Sequence, residues 1–500
     1  MRKIVRYTFF KFKEEEARPV FRCSFKINAV WTFRFIMQPD FYPLSDILEV
    51  ASVHPFYSDA EYPPTREEIP AILESSRLKR EDVQLRSFPV TRKDSLYRHI
   101  SRLTVDKDPR NGYRQGTYIS TTGGGSGGPP MVFATDCLEN RRQRAVIGNL
   151  LRECGLIERG DWVLTLHVSG HLYRAIDLMT ELFENAGAAV LCAGPEMPHQ
   201  AVVEALIQFR ANAVAGDVSQ LLQLANYLTT LGSEQRKEIS LNKAIYTSES
   251  MTASQREFLI SVFGDINICS VIGSAEAGPW GVSSTALMEA PKGNYTDFIV
   301  DKRTICLEVL PFSVGEESQK TSCSLTSCTE HVPLGQPGLL VQTSLQRLRN
   351  PLVRYLCGDV ASLHPMSPEL LERLPKQYTE HYQLVRIYGR DQRSSFTWYG
   401  EYFDFKAVQT FMRNDQWNII QWQIILQHAD RKGAGTMLDV RVLRGLHIAE
   451  RHASKEDLTK KMMEFFWVFD FNRDLFSLTF VSEPGGILTE QDGTKGHAVR

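Results

Sequence analysis

The sequence predicts an α/β protein: a large N-terminal layered α/β domain with a mainly parallel sheet, joined by a hinge to a small C-terminal α+β domain. Three observations carry this. From residue 139 to about 273, apolar runs of strand length alternate with helical patterns, and strands separated by helices of that length pair in parallel through right-handed crossovers. After about residue 390 the order becomes strand, strand, helix, strand, which fits a small α+β unit. Between the two, IYGRDQRSS is polar and contains glycine, as a boundary or hinge would. At 500 residues and 43% hydrophobic the chain can fill more than one core, since single cores stop growing near roughly 250–300 residues.

Taken in order, residues 1–36 mix basic, aromatic and acidic side chains without the acid-poor pattern of a transit peptide. They are set apart as an extension, disordered or a gene-model artefact, because Met37 begins a more ordinary segment. ENRRQRAVIGNLLREC then reads as a helix, and DWVLTLHV, ending at SG, as a buried strand. LYRAIDLMTELFENAG places Leu172, Ile176, Met179 and Phe183 on one helical face, with Gly187 as its stop. AAVLCAG, ANAVAGD, NKAIYTSE and INICSVIG read as strands, separated by PHQAVVEALIQFR, VSQLLQLANYL and a helix from Thr252. Ligands of such sheets bind at the carboxyl ends of the strands. In the C-terminal part, WNIIQWQIILQH and TMLDVRVL read as neighbouring strands, Ser454 caps the helix KEDLTKKMMEFFWVF, and LFSLTFV supplies another strand.

Composition narrows the partners. Lys plus Arg number 57 against 59 Asp plus Glu, a net charge of −2, which argues against nucleic acid or an anionic membrane and favours small solutes. No apolar run reaches the roughly 18 residues of a membrane helix, and no signal peptide is evident, so a soluble, cytoplasmic protein is expected. The nine cysteines are scattered without a C-x-x-C pair and are expected to be reduced. Cys323, Cys328 and His331 lie close together in TSCSLTSCTEH but lack a fourth ligand at the usual zinc spacing.

The most unusual stretch is TYISTTGGGSGGPPM, residues 117 to 131. Glycine costs backbone entropy on folding, so such density is expected where a ligand comes close to the main chain. Unencumbered N–H groups at Gly124, Gly125 and Gly127 can form an anion-binding concavity, with hydroxyl donors from Thr121, Thr122 and Ser126. The loop contains no G-K-[ST], so it is not an ordinary nucleotide P-loop; a flexible linker is the alternative reading.

Together with further stretches downstream, this loop resembles that of the adenylate-forming superfamily of acyl-CoA synthetases, luciferases and adenylation domains, and within it the phenylacetate-CoA ligase branch. TGGGSGGP matches the family's T-S-G-T-T-G-K-P, with Gly128 in place of the lysine. VIGSAEAGPWG is similar to the family's aromatic-G-x-S/T-E motif: Gly273 and Ser274 are in register, Glu276 matches the acid that holds Mg2+ on the ATP phosphates, and Ile272 and Ala275 depart from the pattern. LLVQTSLQRLRNPLVRYLCGDVASL resembles the stretch in which Pro351, Arg354, Tyr355 and Gly358 precede Asp359, the carboxylate that accepts the ribose hydroxyls; Cys357 stands where threonine is common. IYGRDQRSSFTWYGEYFD is similar to the crossover into the small domain, with Arg390 on ribose or phosphate and Gln392 at the hinge. DGTKGHAVR resembles the segment whose lysine, here Lys495, bridges the substrate carboxylate and the α-phosphate, a solvated tail lysine being the alternative. HVSGHLYRAI and TSESMT fall where the branch lines its acyl pocket, making His167 and Ser248 pocket candidates; His167 is equally a structural histidine.

The resemblance implies an AMP-binding domain over 37–390, a mobile domain over 391–500, and a two-step reaction. A carboxylic acid is activated by ATP and Mg2+ to an acyl-adenylate, and the acyl group then passes to a thiol, coenzyme A foremost, with a carrier protein or an amine as alternative acceptors. A nucleotide-binding homologue that has lost catalysis is the reading from a different class, motivated by Gly128, Ile272, Ala275 and Gln392.

Overall fold

The computed structural model describes residues 40–79, 83–121, 132–170, 172–247, 251–288, 295–314, 330–376, 379–391, 395–427, 435–444, 452–481 and 497–499. Helices α1 (Leu44–Ser52), α2 (Ile69–Lys79) and α3 (Lys93–Val105) come first. A hairpin of β1 (Thr117–Thr121) and β2 (Val132–Asp136) flanks the glycine loop, with Thr121 opposite Val132.

The expected alternation follows: α4 (Cys137–Glu153), β3 (Trp162–Thr165), the short pair β4 (Ser169–Gly170) and β5 (Tyr173–Arg174), α5 (Ala175–Ala186), β6 (Ala189–Cys192), α6 (His199–Gln208), β7 (Ala213–Asp217), α7 (Val218–Thr229), α8 (Ser233–Lys237), β8 (Lys243–Thr247), α9 (Ala253–Phe263) and β9 (Asn267–Ser274). Asp217 caps α7 and Thr252 caps α9 through capping boxes with Gln220 and Gln255, and Gly187 ends α5 at φ +110°, a conformation that suits glycine.

Strands β10 (Gly278–Ser284), β11 (Thr296–Asp301), β12 (Ile305–Leu310), β13 (Gly338–Ser344), β14 (Tyr355–His364) and β15 (Tyr382–Arg390) complete an 11-stranded sheet ordered β12-β13-β14-β15-β11-β10-β9-β8-β7-β3-β6. The parallel pairing that the alternation predicts holds from β6 to β9. Every pair from β9 onward to β12 is antiparallel, so the sheet is mixed rather than mainly parallel. Antiparallel neighbours need no crossover helix, and the helix period that signals the parallel half is missing from this stretch. The parallel strands sit between α4 and α5 on one face, with Ile147, Phe183 and Ile245 in one core, and α6, α7 and α9 on the other, with Val203, Leu221 and Leu259 in a second.

The C-terminal part has its own core. Strands β16 (Ser395–Trp398) and β17 (Glu401–Asp404) form a hairpin; β18 (Ile419–Gln427), β19 (Met437–Arg444), β20 (Phe476–Val481) and β21 (His497–Val499) form a four-stranded sheet ordered β20-β19-β18-β21. The helix Lys455–Phe465 is capped by Ser454, whose hydroxyl accepts from the Asp457 amide, as expected. Trp398, Phe403, Val440, Phe465 and Phe466 are buried together. Among the described residues no helix is long and apolar enough to cross a membrane.

Candidate active site

Asp359 and Arg390 face each other across β14 and β15 as direct register partners. Arg390 Nε lies 3.4 Å from Asp359 Oδ1, and its Nη1 donates to the Cys357 carbonyl at 2.5 Å. Both side chains keep some exposure, 32% for Arg390 and 17% for Asp359, so the carboxylate is aimed by its partner yet reachable. Cys357, where a threonine hydroxyl is usual in the resembled motif, points its thiol at Asp359 Oδ2 at 3.4 Å and at the Leu340 carbonyl at 3.3 Å, and burial holds that thiol protonated by raising its pKa well above the ordinary value. Gly358 and Gly389, at φ +84° and +100°, supply the left-handed backbone beside the pair; β14 and β15 slip register there, as at a bulge.

Glu276 occupies the turn between β9, the last parallel strand, and β10, the first antiparallel one. A change of strand order or direction is where open sheets place their crevices. The turn is locally determined: Ser274 accepts from the Ala277 amide through its hydroxyl, and a side chain at Gly273 would meet the Pro279 main chain at 2.8 Å. Buried to 5% exposure, Glu276 accepts from the hydroxyls of Tyr97 and Tyr355, each at 3.1 Å, and stands 3.8 Å from Lys93 Nζ. Arg347, also buried, donates to the Glu276 carbonyl. Burial lowers the pKa of Lys93, with Glu276, Asp404 and Glu401 opposing and Arg390 adding to the shift. Tyr355 therefore ties Glu276 to the strand that carries Asp359 four residues on, about 13 Å along the chain at strand rise.

A third group of residues gathers at the carboxyl ends of the parallel strands. Thr121, His167, Asp217, Tyr399, Glu401, Trp467 and Phe471 line a cavity of about 70 Å³ between the large sheet and the C-terminal part. His167 is buried at 2% exposure, and both ring nitrogens are engaged, Nδ1 with the Thr165 hydroxyl at 2.8 Å and Nε2 with that of Thr247 at 2.9 Å. Burial lowers its pKa to about 4, so the imidazole is neutral at physiological pH. Asp217 is pushed up to about 6 by burial, against the Gln220 and Ser219 amides. Ser219 itself lies against Gly435 of the C-terminal part, where a Cβ would come within 2.8 Å of its hydroxyl.

The sequence-derived site residues thus divide. Glu276, Asp359, Arg390, Gly273 and Ser274 fall in one connected region, and Thr121 and His167 line the adjoining cavity. Arg354 serves the scaffold: fully buried at φ +46°, it grips the Glu308 carboxylate with two nitrogens at 3.1 and 3.2 Å. Ile272 packs into the core beside Trp280 and Phe298. Thr122, Gly124, Gly125, Ser126, Gly127, Gly128, Ser248, Gln392, Lys495, Cys323 and Cys328 lie outside the described residues; His331 pairs with Glu308 at 3.0 Å. Lys93, Tyr97, Asp217 and Glu401 are additions from the structure. Lys93 opens α3, and Glu401 sits inside the hinge stretch IYGRDQRSSFTWYGEYFD with no motif position of its own.

No protein-family model matches the chain, and no curated protein matches it. Among solved structures the chain is similar to a 2-hydroxyisobutyryl-CoA ligase in complex with 2-HIB-AMP and CoA in the thioesterification state, with 17% identity and a TM-score of 0.61 over 90% of this chain and 86% of that one. The amide bond synthetase McbA from Marinactinospora thermotolerans is matched at 14% identity and TM-score 0.47, over 76% and 68% of the two chains. An o-succinylbenzoate-CoA synthetase from Bacillus subtilis is matched at 12% identity and TM-score 0.45, over 69% and 62%. The overlap with the 2-hydroxyisobutyryl-CoA ligase, over a mixed sheet and a C-terminal part with its own core, shows that the chain shares the fold of that ligase.

Proposed function

We propose that the protein activates a carboxylic acid with ATP, forming an acyl-adenylate and pyrophosphate, and passes the acyl group to a thiol, coenzyme A in the simplest case. The observation that carries this reading is the Asp359–Arg390 pair joined through Tyr355 to Glu276 at the turn where the sheet changes from parallel to antiparallel. Asp359 offers two acceptor oxygens on one side chain, suited to a pair of ribose hydroxyls. Arg390 holds that carboxylate in place. The glycine loop between β1 and β2 would bind the phosphates by its amides, and Lys495 would bridge acid and α-phosphate.

Glu276 would hold Mg2+. Among the described residues no three or more His, Cys, Asp or Glu side chains cluster as a metal site, and one carboxylate fixed by two phenols fits a cation that arrives on ATP, as Mg2+ commonly does. That ion would neutralise phosphate charge. The residues of the chain do the orienting: the two tyrosines hold the carboxylate, and Arg390 holds the sugar-facing acid, so the acyl carboxylate can meet the α-phosphorus in line. Domain limits at 37–390 and 391–500, with Gln392 as pivot, are part of the same proposal.

Pyrophosphate exchange into ATP, run with Mg2+ and a panel of aryl, hydroxy and fatty acids, tests it. Exchange that depends on one acid is expected; silence across the panel overturns the reading. Adding coenzyme A and looking for a free thioester separates a soluble thiol acceptor from a carrier protein or an amine.

A further inference from the structure

The hairpin of β16 and β17 enters the cavity at its tip. Trp398 pairs with Glu401, leaving a two-residue loop, and its residues Tyr399 and Gly400 both take positive φ, +49° and +77°. This is the pattern of a type I′ turn, where asparagine or aspartate followed by glycine is usual. A tyrosine there is strained, and such strain gathers at functional sites. The next residue, Glu401, turns a carboxylate inward whose Oε2 is buried and has no hydrogen-bond partner among the described residues, a costly arrangement. The cavity before it is walled by Tyr399, Trp467, Phe469 and Phe471.

We propose that Glu401 is the general base of the second half-reaction, taking the proton from the acceptor's thiol or amine as it attacks the acyl-adenylate; this rests on the activation chemistry proposed above. The lone pair of the nucleophile forms the new bond to the acyl carbon. The bond from that carbon to the phosphate oxygen breaks, AMP leaves with its electrons, and the proton passes to Glu401 Oε2 and on to solvent.

The surroundings suit the task. Burial pushes the Glu401 carboxyl up to about 7, with Lys93 opposing and Asp217 adding, which places it where a base works best near neutral pH. Among the described residues, the charged and titratable groups that face it include Lys93 at the start of α3, Asp217 at the cap of α7 and His167 after β3, while Asp404 at the far end of its own strand acts on Lys93. Of these, His167 is neutral and already engaged at both nitrogens, and the Asp217 side chain accepts from the α7 amides. Of the carboxylates lining the cavity, Glu401 has a buried oxygen with no partner among the described residues.

Glu401→Gln keeps the shape and removes the base. Transfer is measured from a panel of supplied acyl-adenylates to coenzyme A in one arm and to hydroxylamine in the other, alongside pyrophosphate exchange. Transfer should fall roughly 100-fold more than exchange, and the rise of its rate centred near pH 7 should vanish; Glu401→Asp should restore part of both. Whichever arm responds identifies the class of nucleophile. A Gln variant that transfers as fast as the wild type, with the same pH profile, overturns the proposal. Wild-type transfer without any exchange would instead overturn the activation step alone. Infrared difference spectra of wild type against Glu401→Gln give a readout free of substrate: a carboxyl titrating near pH 7 supports the assignment, and one fully ionised at about pH 5 overturns it.

Discussion

The two ends of the site are built on opposite principles. Around Asp359 and Glu276, in the antiparallel half of the sheet, carboxylates are met by donors: Arg390 and the Cys357 thiol on one, two phenols and Lys93 on the other. Around Glu401, at the mouth of the parallel half, a carboxylate has one buried oxygen unmet among the described residues. The first end is fixed in geometry, as recognition of an unchanging nucleotide requires. The second is poised to change its charge during a reaction.

If that contrast is right, substitutions at the fixed end act on binding and those at the poised end act on pH dependence. The largest effect is expected for Asp359→Ala, which should weaken ATP binding by about 2–4 kcal/mol, the scale of a lost charge-assisted pair, as measured by calorimetry. Glu276→Gln should slow pyrophosphate exchange roughly 100-fold and raise the Mg2+ concentration it needs, with little change in fold, because the Tyr97 and Tyr355 hydroxyls can still donate to the amide oxygen. Arg390→Lys should cost about 1–2 kcal/mol in ATP affinity, since one ammonium cannot serve both the Asp359 carboxylate and the Cys357 carbonyl. Equal losses at Asp359 and Arg390 would show that the arginine contacts the nucleotide itself.

At the poised end the effect is on stability. A carboxyl whose folded pKa is raised above its unfolded value stabilises the fold below the unfolded pKa and loses that contribution as pH rises through the folded one. For Glu401 the window runs from the ordinary value of 4.5 to about 7. The melting temperature of the wild type should therefore fall relative to that of Glu401→Gln across this range, by an amount on the order of 1–3 kcal/mol in stability. Glu139, likewise pushed up to about 7 by burial, remains in both proteins and cancels. His167 acts the other way: its pKa is lowered to about 4, so its contribution is present above 6.5 and lost as pH falls toward 4. A melting-temperature difference that is flat with pH would place the Glu401 carboxylate in water.

The parallel half of the fold was readable because helix and strand periods alternate over residues 139–273, and each helix start carries its own chemistry, such as the capping boxes at Asp217 and Thr252. The antiparallel half was not, because β10 to β15 lack a repeating period and their register depends on distant pairings such as Thr296 with Ile387. Asp359, Arg390 and Glu276 are singled out in the sequence by the family motifs their stretches resemble, and folding joins them through Tyr355 and the β14–β15 pairing. Lys93 and Glu401 are not singled out, since a lysine in TRKDS and a glutamate after WYG carry no signal until folding brings them within each other's electrostatic reach. Arg354 shows the converse: its place in a motif suggested the site, but its geometry makes it an internal brace for Glu308.

One small feature of the main chain bears on how the protein tolerates shortening. Thr91 forms a parallel bridge to Tyr355, its amide donating to the Arg354 carbonyl at 2.8 Å and its carbonyl accepting from Leu356 at 2.9 Å. Two residues later comes Lys93, so the segment that delivers the ammonium to Glu276 is stitched by backbone to the strand that delivers the phenol. Any transcript or expression product that starts after this stitch would keep every residue of the nucleotide motifs and still lose the anchor that sets two of the groups around Glu276.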